Sequence, residues 1–238
     1  YSFLFGFFAC TFLAVTPGLY FRPHYFLLWV PALSLLAGVG FEILTSGFSS
    51  SKVKTTISAL ILALVLGLPV LIQKRILFTM PVNEVTRMIY GLNPFSESLE
   101  IAQYIRDHTQ KEDKIVVLGS EPQIYFYSQR KSATRHLYMY PLMEKHVYAR
   151  KMQDEMIREI EGAQPKFVVM AKTAGTWVST RPDFSPALKD WAQGYLNRKY
   201  EIDGAVDLFP HKETIYRWGD QAQEYKPQST HHLILYKR

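Results

Sequence analysis

Arg22-Pro23-His24-Tyr25-Phe26 opens an apolar run, Leu27 through Phe41, and this boundary decides how the chain is read. Before it, Tyr1 to Phe21 carries no charge. Pro17-Gly18 should end a first helix, because proline has no N–H to donate and glycine is free to leave helical geometry. That leaves roughly 16 residues, about 24 Å at ~1.5 Å per residue, short of a hydrocarbon core of ~30 Å. The expectation is that the chain is the C-terminal piece of a longer protein and that Tyr1 lies within a spanning helix. The competing reading is a short interfacial or core helix. A second span is expected over about 25–41, kinked at Pro31, with Gly38 and Gly40 offering a small-residue surface for helix contact. A third is expected over about 55–73, closed by Lys74-Arg75. Residues 1–77 thus read as three transmembrane helices, the first truncated.

Charge follows the same division. The chain has 238 residues and a formal charge of +6. Arg22, Lys52, Lys54, Lys74 and Arg75, against Glu42 alone, carry four of those six charges. Cations flanking apolar segments suit anionic lipid headgroups, and the mildly basic remainder argues against nucleic acid as a partner. Cys10 is the single cysteine, which excludes an internal disulfide or a cysteine zinc site. The Lys52/Lys54 loop and the set Arg22, Lys74 and Arg75 pull the topology in opposite directions, so charge does not decide sidedness.

Beyond a connector, 78–92, residues 93–238 read as a soluble α/β domain. Ser96 is placed as the N-cap of a helix ending near His108, with Glu97 and Glu100 in its first turn. Lys114–Leu118, with Ile115-Val116-Val117-Leu118, is a short buried-type strand. Gly119-Ser120-Glu121-Pro122 turns it into a helix over Gln123–Ser128. A strand is expected over Arg135–Tyr140. The fourfold spacing of Tyr148, Met152, Met156 and Ile160 predicts a helix over Glu144–Glu161. Phe167–Ala171 is a second clear strand, Thr173–Phe184 a loop, and Ser185-Pro186 a helix start. Strands are expected over Tyr200–Phe209, Thr214–Trp218 and His232–Tyr236. Strands alternating with amphipathic helices predict a partly parallel sheet, and the short links near the C-terminus predict antiparallel pairs, so the sheet is mixed.

Each candidate site has two readings. Arg22 and His24, with Tyr25, stand at the water edge of a span, where a cation can meet a lipid phosphate or simply snorkel beside an aromatic belt. Glu121 follows a strand and opens a helix, a geometry that binds ligands in α/β sheets but also serves as a plain turn. Tyr125, Arg130 and Arg135, near Tyr127, Tyr138 and Tyr140, could stack on a sugar or pack the interior. Trp177 could be a sugar platform or cover a sheet end. His231 and His232 should point to opposite faces of a strand and read as structural.

The runs Phe21-Arg22-Pro23-His24-Tyr25-Phe26 and Val30-Pro31-Ala32-Leu33-Ser34-Leu35-Leu36-Ala37-Gly38 resemble the last spans of GT-C class glycosyltransferases. The likeness is to the family-39, dolichyl-phosphate-mannose and lipid-A aminoarabinose-transferase-like types. Asn93–Tyr104-Ile105 and Val116–Tyr125 resemble the domain that closes such bacterial enzymes. The resemblance implies a polyprenyl-phosphate sugar donor, a glycan or lipid acceptor, and an extracytoplasmic C-terminal domain on an integral cytoplasmic-membrane protein. It also implies catalytic carboxylates outside this sequence, no cofactor within it, and a divalent metal in some members only. The rival from another class is a non-catalytic, membrane-anchored α/β module that binds a glycan or an envelope partner.

Overall fold

The computed structural model describes residues 2–48, 50–173, 177 and 187–238. The chain divides into two compact units, Tyr1–Thr79 and Met80–Arg238.

The first unit is helical. Helix α1 (Ser2–Val15) stops two residues before Pro17. Gly18 there takes a left-handed conformation (φ 77°). Two 3-10 turns, Pro17–Leu19 and Pro23–Leu28, lead into α2 (Val30–Ser46), and α3 (Ser51–Ile72) follows. The Trp29 ring lies against Phe8 and Phe12 of α1 at centroid distances of 4.9 and 5.0 Å. Lys54 Nζ of α3 meets Glu42 Oε1 of α2 at 2.9 Å. The hydroxyls of Thr11, Ser34 and Thr45 donate to carbonyls one turn back within their own helices. An apolar surrounding offers such groups no other partner.

Among the described residues, α3 is the one helix long and apolar enough to cross a membrane. The expectation of three such helices is therefore corrected to one. The reason lies in the prolines and glycines. Pro17-Gly18 limits α1 to 14 residues. The 3-10 turn over Pro23–Leu28 delays α2, which has 17 residues. Pro31 sits in the first turn of α2 and produces no mid-span kink, since a first-turn residue has no N–H bond to lose. The proline inside a helix is Pro69 of α3.

The second unit is a three-layer α/β sandwich. Its elements in order are α4 (Val82–Tyr90), α5 (Glu97–Asp107), β1 (Lys114–Leu118), α6 (Gln123–Ser128), β2 (Lys131–Ser132), α7 (Tyr140–Met143), α8 (Ala149–Ala163), β3 (Phe167–Lys172), α9 (Ala187–Lys199), β4 (Glu201–Asp207), β5 (Ile215–Trp218), α10 (Asp220–Gln223) and β6 (His232–Lys237). The six-stranded mixed sheet has the order β2-β1-β3-β6-β4-β5. Strand β1 is parallel to β2 and to β3, whereas β6 is antiparallel to both β3 and β4, and β5 to β4.

The period-2 alternation of the strands separates two cores. Ile115, Val117, Phe167, Val169, Leu233 and Leu235 pack with Ile101 and Ile105 of α5 and Ile124 of α6. Val116, Leu118, Val168 and Met170 pack with Leu142, Met156, Ile160, Leu188 and Leu196 from α7, α8 and α9. Burial of such side chains stabilises by about 1.5–3 kcal/mol each before chain entropy is counted.

Several local expectations change. The connector contains α4. Ser96 is already helical and makes no side-chain cap; the Ser98 hydroxyl donates instead to Pro94 O at 2.6 Å. The strand expected at Arg135–Tyr140 is absent. Pairing on that side ends after Lys131–Ser132, and Tyr140 begins α7. The helix start expected at Ser185-Pro186 and most of the Thr173–Phe184 loop lie outside the described residues.

Candidate active-edge crevice

Strands β1 and β3 lie side by side, run parallel and end at one edge of the sheet. The chain leaves β1 for α6, in the α5/α6 layer, while the helix after β3, α9, lies in the opposite layer. Adjacent parallel strands whose connections depart to opposite faces leave a crevice at their carboxyl ends, where open α/β sheets bind ligands.

Glu121 and Thr173 stand on the two sides of this switch point. The Thr173 hydroxyl donates to Glu121 Oε1 at 3.2 Å, and Gln123 Nε2 donates to Glu121 Oε2 at 2.7 Å. Gln123 Nε2 also reaches the Ser98 hydroxyl at 3.0 Å, tying the first turn of α5 to that of α6. The Ser120 hydroxyl accepts the Met139 N–H at 3.3 Å. Glu121 is only 5% exposed. Burial pushes its carboxyl above the usual carboxylate range, and the hydrogen bonds from Gln123 and Thr173 offset part of that push.

The polar edge continues from Ser98. Glu97 is buried, paired with Arg87 of α4, and accepts the Thr214 hydroxyl on Oε1 at 2.7 Å. Asp207, at the end of β4, accepts from the Tyr225 hydroxyl at 2.8 Å and from the Gln228 and Ser229 N–H groups at 2.6 and 3.1 Å. His232 opposes both Lys172 and Asp207 in the sheet register. Burial holds its imidazole below the ordinary histidine value.

The structure separates the residues singled out in the sequence. Trp177 is buried, and its indole N–H donates to Ala171 O at 2.7 Å, at the β3 end of the crevice. Tyr125 is inside the α5/α6 core, where its hydroxyl accepts the Val117 N–H. Arg130 clamps the C-terminal end of α5, donating to the Thr109 hydroxyl at 2.8 Å and to the Arg106 and Thr109 carbonyls. Arg135 reaches out to Glu159 of α8 at 2.6 Å. Arg22, His24 and Tyr25 belong to the helical unit. The Arg22 guanidinium lies 5.6 Å from the Tyr20 ring centroid, and the His24 and Tyr25 rings meet edge to face at 4.6 Å. Of the eight, Glu121 and Trp177 share the sheet edge. Thr173, Gln123 and Ser98 join Glu121 there without having been singled out. The signal that could have found Thr173 is its place directly after β3, beside the strand that precedes Glu121.

Among the described residues, no group of three or more His, Cys, Asp or Glu side chains is placed to hold a metal ion.

Residues 95–200 match the family model described as "Putative competence-induced protein Ccs4 C-terminal domain". No curated protein and no solved structure matches the chain. The family match corrects the GT-C glycosyltransferase resemblance. The stretch Val116–Tyr125 that carried half of it lies inside the matched residues, and the matching family is not a glycosyltransferase family. Short aromatic and proline motifs at a membrane edge recur for packing reasons, which is why they misled.

Proposed function

We propose that this chain is a membrane-anchored α/β module that binds a hydroxyl-rich ligand, a glycan of the cell envelope, in the crevice between the ends of β1 and β3. The matched family is described as competence-induced, and on this reading the module serves the competent state. The observation that carries the proposal is the Thr173–Glu121 hydrogen bond across the switch point. A buried carboxyl, a carboxamide and two hydroxyls in one crevice are the groups that exchange hydrogen bonds with sugar hydroxyls.

Anchoring is supported by α3, whose 22 residues span about 33 Å at ~1.5 Å per residue. With α3 as the crossing, the Lys74-Arg75 end and the α/β unit that follows it lie, on this proposal, on the extracytoplasmic side.

Co-sedimentation of the full chain, in lipid nanodiscs, with purified insoluble cell-wall glycan tests the binding. Retention is expected for the native chain and for Arg135→Ala, whose side chain is remote from the crevice. It should fall several-fold for Glu121→Ala and for the near-isosteric Thr173→Val. Equal retention of all four, or of none, contradicts the proposal.

A further inference from the structure

Helix α4 is built the wrong way round for water. Its polar side faces the domain: Arg87 pairs with Glu97 and donates to Gly91 O at 3.0 Å. Its apolar side faces out, with Val82 82%, Met88 53% and Ile89 59% exposed. At 100° per residue, Met88, Val85, Ile89 and Val82 form one continuous arc, opposite Asn83 and Arg87. A nine-residue helix does not hold such an arc in water for its own stability, because isolated helices of this length are marginal.

The chain itself says what covers the arc. Residues 73–81 connect the end of α3 to α4, and even fully extended they reach only about 30 Å at ~3.4 Å per residue. Part of that link is the π-helical turn Arg75–Thr79, which shortens it and itself exposes Leu77 and Phe78. Along the sequence the basic pair Lys74-Arg75 directly follows α3, where a crossing helix would meet anionic headgroups. Tyr90, the last residue of α4, is 54% exposed and edge to face with Phe95, a ring of the type enriched at lipid–water boundaries.

We infer that α4 is an interfacial helix, lying in the lipid–water boundary with its Val82–Val85–Met88–Ile89 arc in the acyl region. Arg87 and Glu97 then fasten it to the α/β unit. This rests on the reading of α3 as a membrane anchor. The occupant is a lipid surface, recognised by apolar area and by the adjacent basic pair.

Nitroxide labelling of the full chain tests this in vesicles of phosphatidylcholine and phosphatidylglycerol. In a Cys10→Ser background, single labels are placed by Leu62→Cys in α3 and by Val82→Cys, Glu84→Cys and Ile89→Cys in α4, all at exposed positions. Relative accessibility to oxygen and to a water-soluble nickel chelate gives depth. The expected result is a deep label at 62, shallow membrane labels at 82 and 89 with an oxygen-over-nickel ratio several-fold above that at 84, and an aqueous label at 84. A deep label at 62 with 82 and 89 as nickel-accessible as 84 overturns the inference and leaves the anchor standing. A nickel-accessible label at 62 overturns both.

Discussion

The Tyr125 hydroxyl accepts the Val117 backbone N–H at 2.7 Å, taking the position where a longer β2 would have paired with β1. Strand β2 contributes two residues and then turns away after Ala133, whose N–H meets Ile115 O. The next β1 donor on that side would be a buried, unpaired N–H without the phenol. Tyr125→Phe should therefore cost about 1–3 kcal/mol, the desolvation penalty of an orphaned donor. Urea denaturation should show a lower midpoint at unchanged slope, with glycan retention intact.

Glu121 and Glu159 should respond to pH in opposite directions. The folded-state pKa of Glu121 is raised by burial. Below the ordinary glutamate value of about 4.3 both states are protonated and the group contributes nothing. As pH rises through that value towards the raised folded pKa, the folded state binds more protons, so stability is lost. Thermal melts should show the native chain losing ground to Glu121→Gln across this window. At Glu159, burial pushes the pKa up, but hydrogen bonds from the Thr134 hydroxyl and from Arg135, with the Arg135 charge, outweigh it and lower the pKa. Its stabilisation is present above the ordinary value and lost as pH falls through the lowered one, so the native chain should approach Glu159→Gln at acid pH.

Gly204 has no room for a side chain. A Cβ there would lie 2.8 Å from the Trp218 ring and 3.1 Å from Leu235 Cβ. Trp218 stacks on Tyr104 at 4.2 Å, and the Tyr104 hydroxyl donates to Asp203 at 3.0 Å. Burial and the Asp203 carboxylate push that phenol up to about 12. Gly204→Ala should cost about 1–3 kcal/mol through overpacking. The tyrosine and tryptophan bands of the near-ultraviolet circular dichroism should weaken with it.

Asp207 has no exposed surface, and it organises the segment before β6 by accepting from Tyr225, Gln228 and Ser229. Asp207→Ala leaves those donors without their acceptor. A loss of about 2–4 kcal/mol is expected, from unsatisfied groups and a broken charge-assisted network. Faster amide hydrogen exchange at residues 225–231 checks it.

What could be read from the chain depended on the range of the interactions involved. Strand β1 and helix α6 fall at the expected residues because Ile115-Val116-Val117-Leu118 and Pro122 act locally. Helix α4 is also locally written, in the spacing of Val82, Val85, Met88 and Ile89, although its nine residues fall inside the expected 78–92 connector. The false strand at Arg135–Tyr140 came from β-forming residues whose pairing partner had already been supplied by Tyr125. The crevice was half legible. Glu121 follows a strand, whereas Thr173 meets it across 52 residues, and only the sheet order brings the two together. The glycosyltransferase reading failed because edge motifs report the membrane and say little about chemistry.

The most direct measurement is a methyl-detected NMR titration of the full chain in nanodiscs with soluble cell-wall glycan fragments. The Thr173 methyl and the Ile124 methyls report the crevice. Saturable shifts at both, abolished in Glu121→Ala while the Ile234 methyls stay in place, are the predicted result. Shifts confined to other parts of the sheet, or equal shifts in the native chain and the variant, would contradict the assignment of this crevice as the binding site.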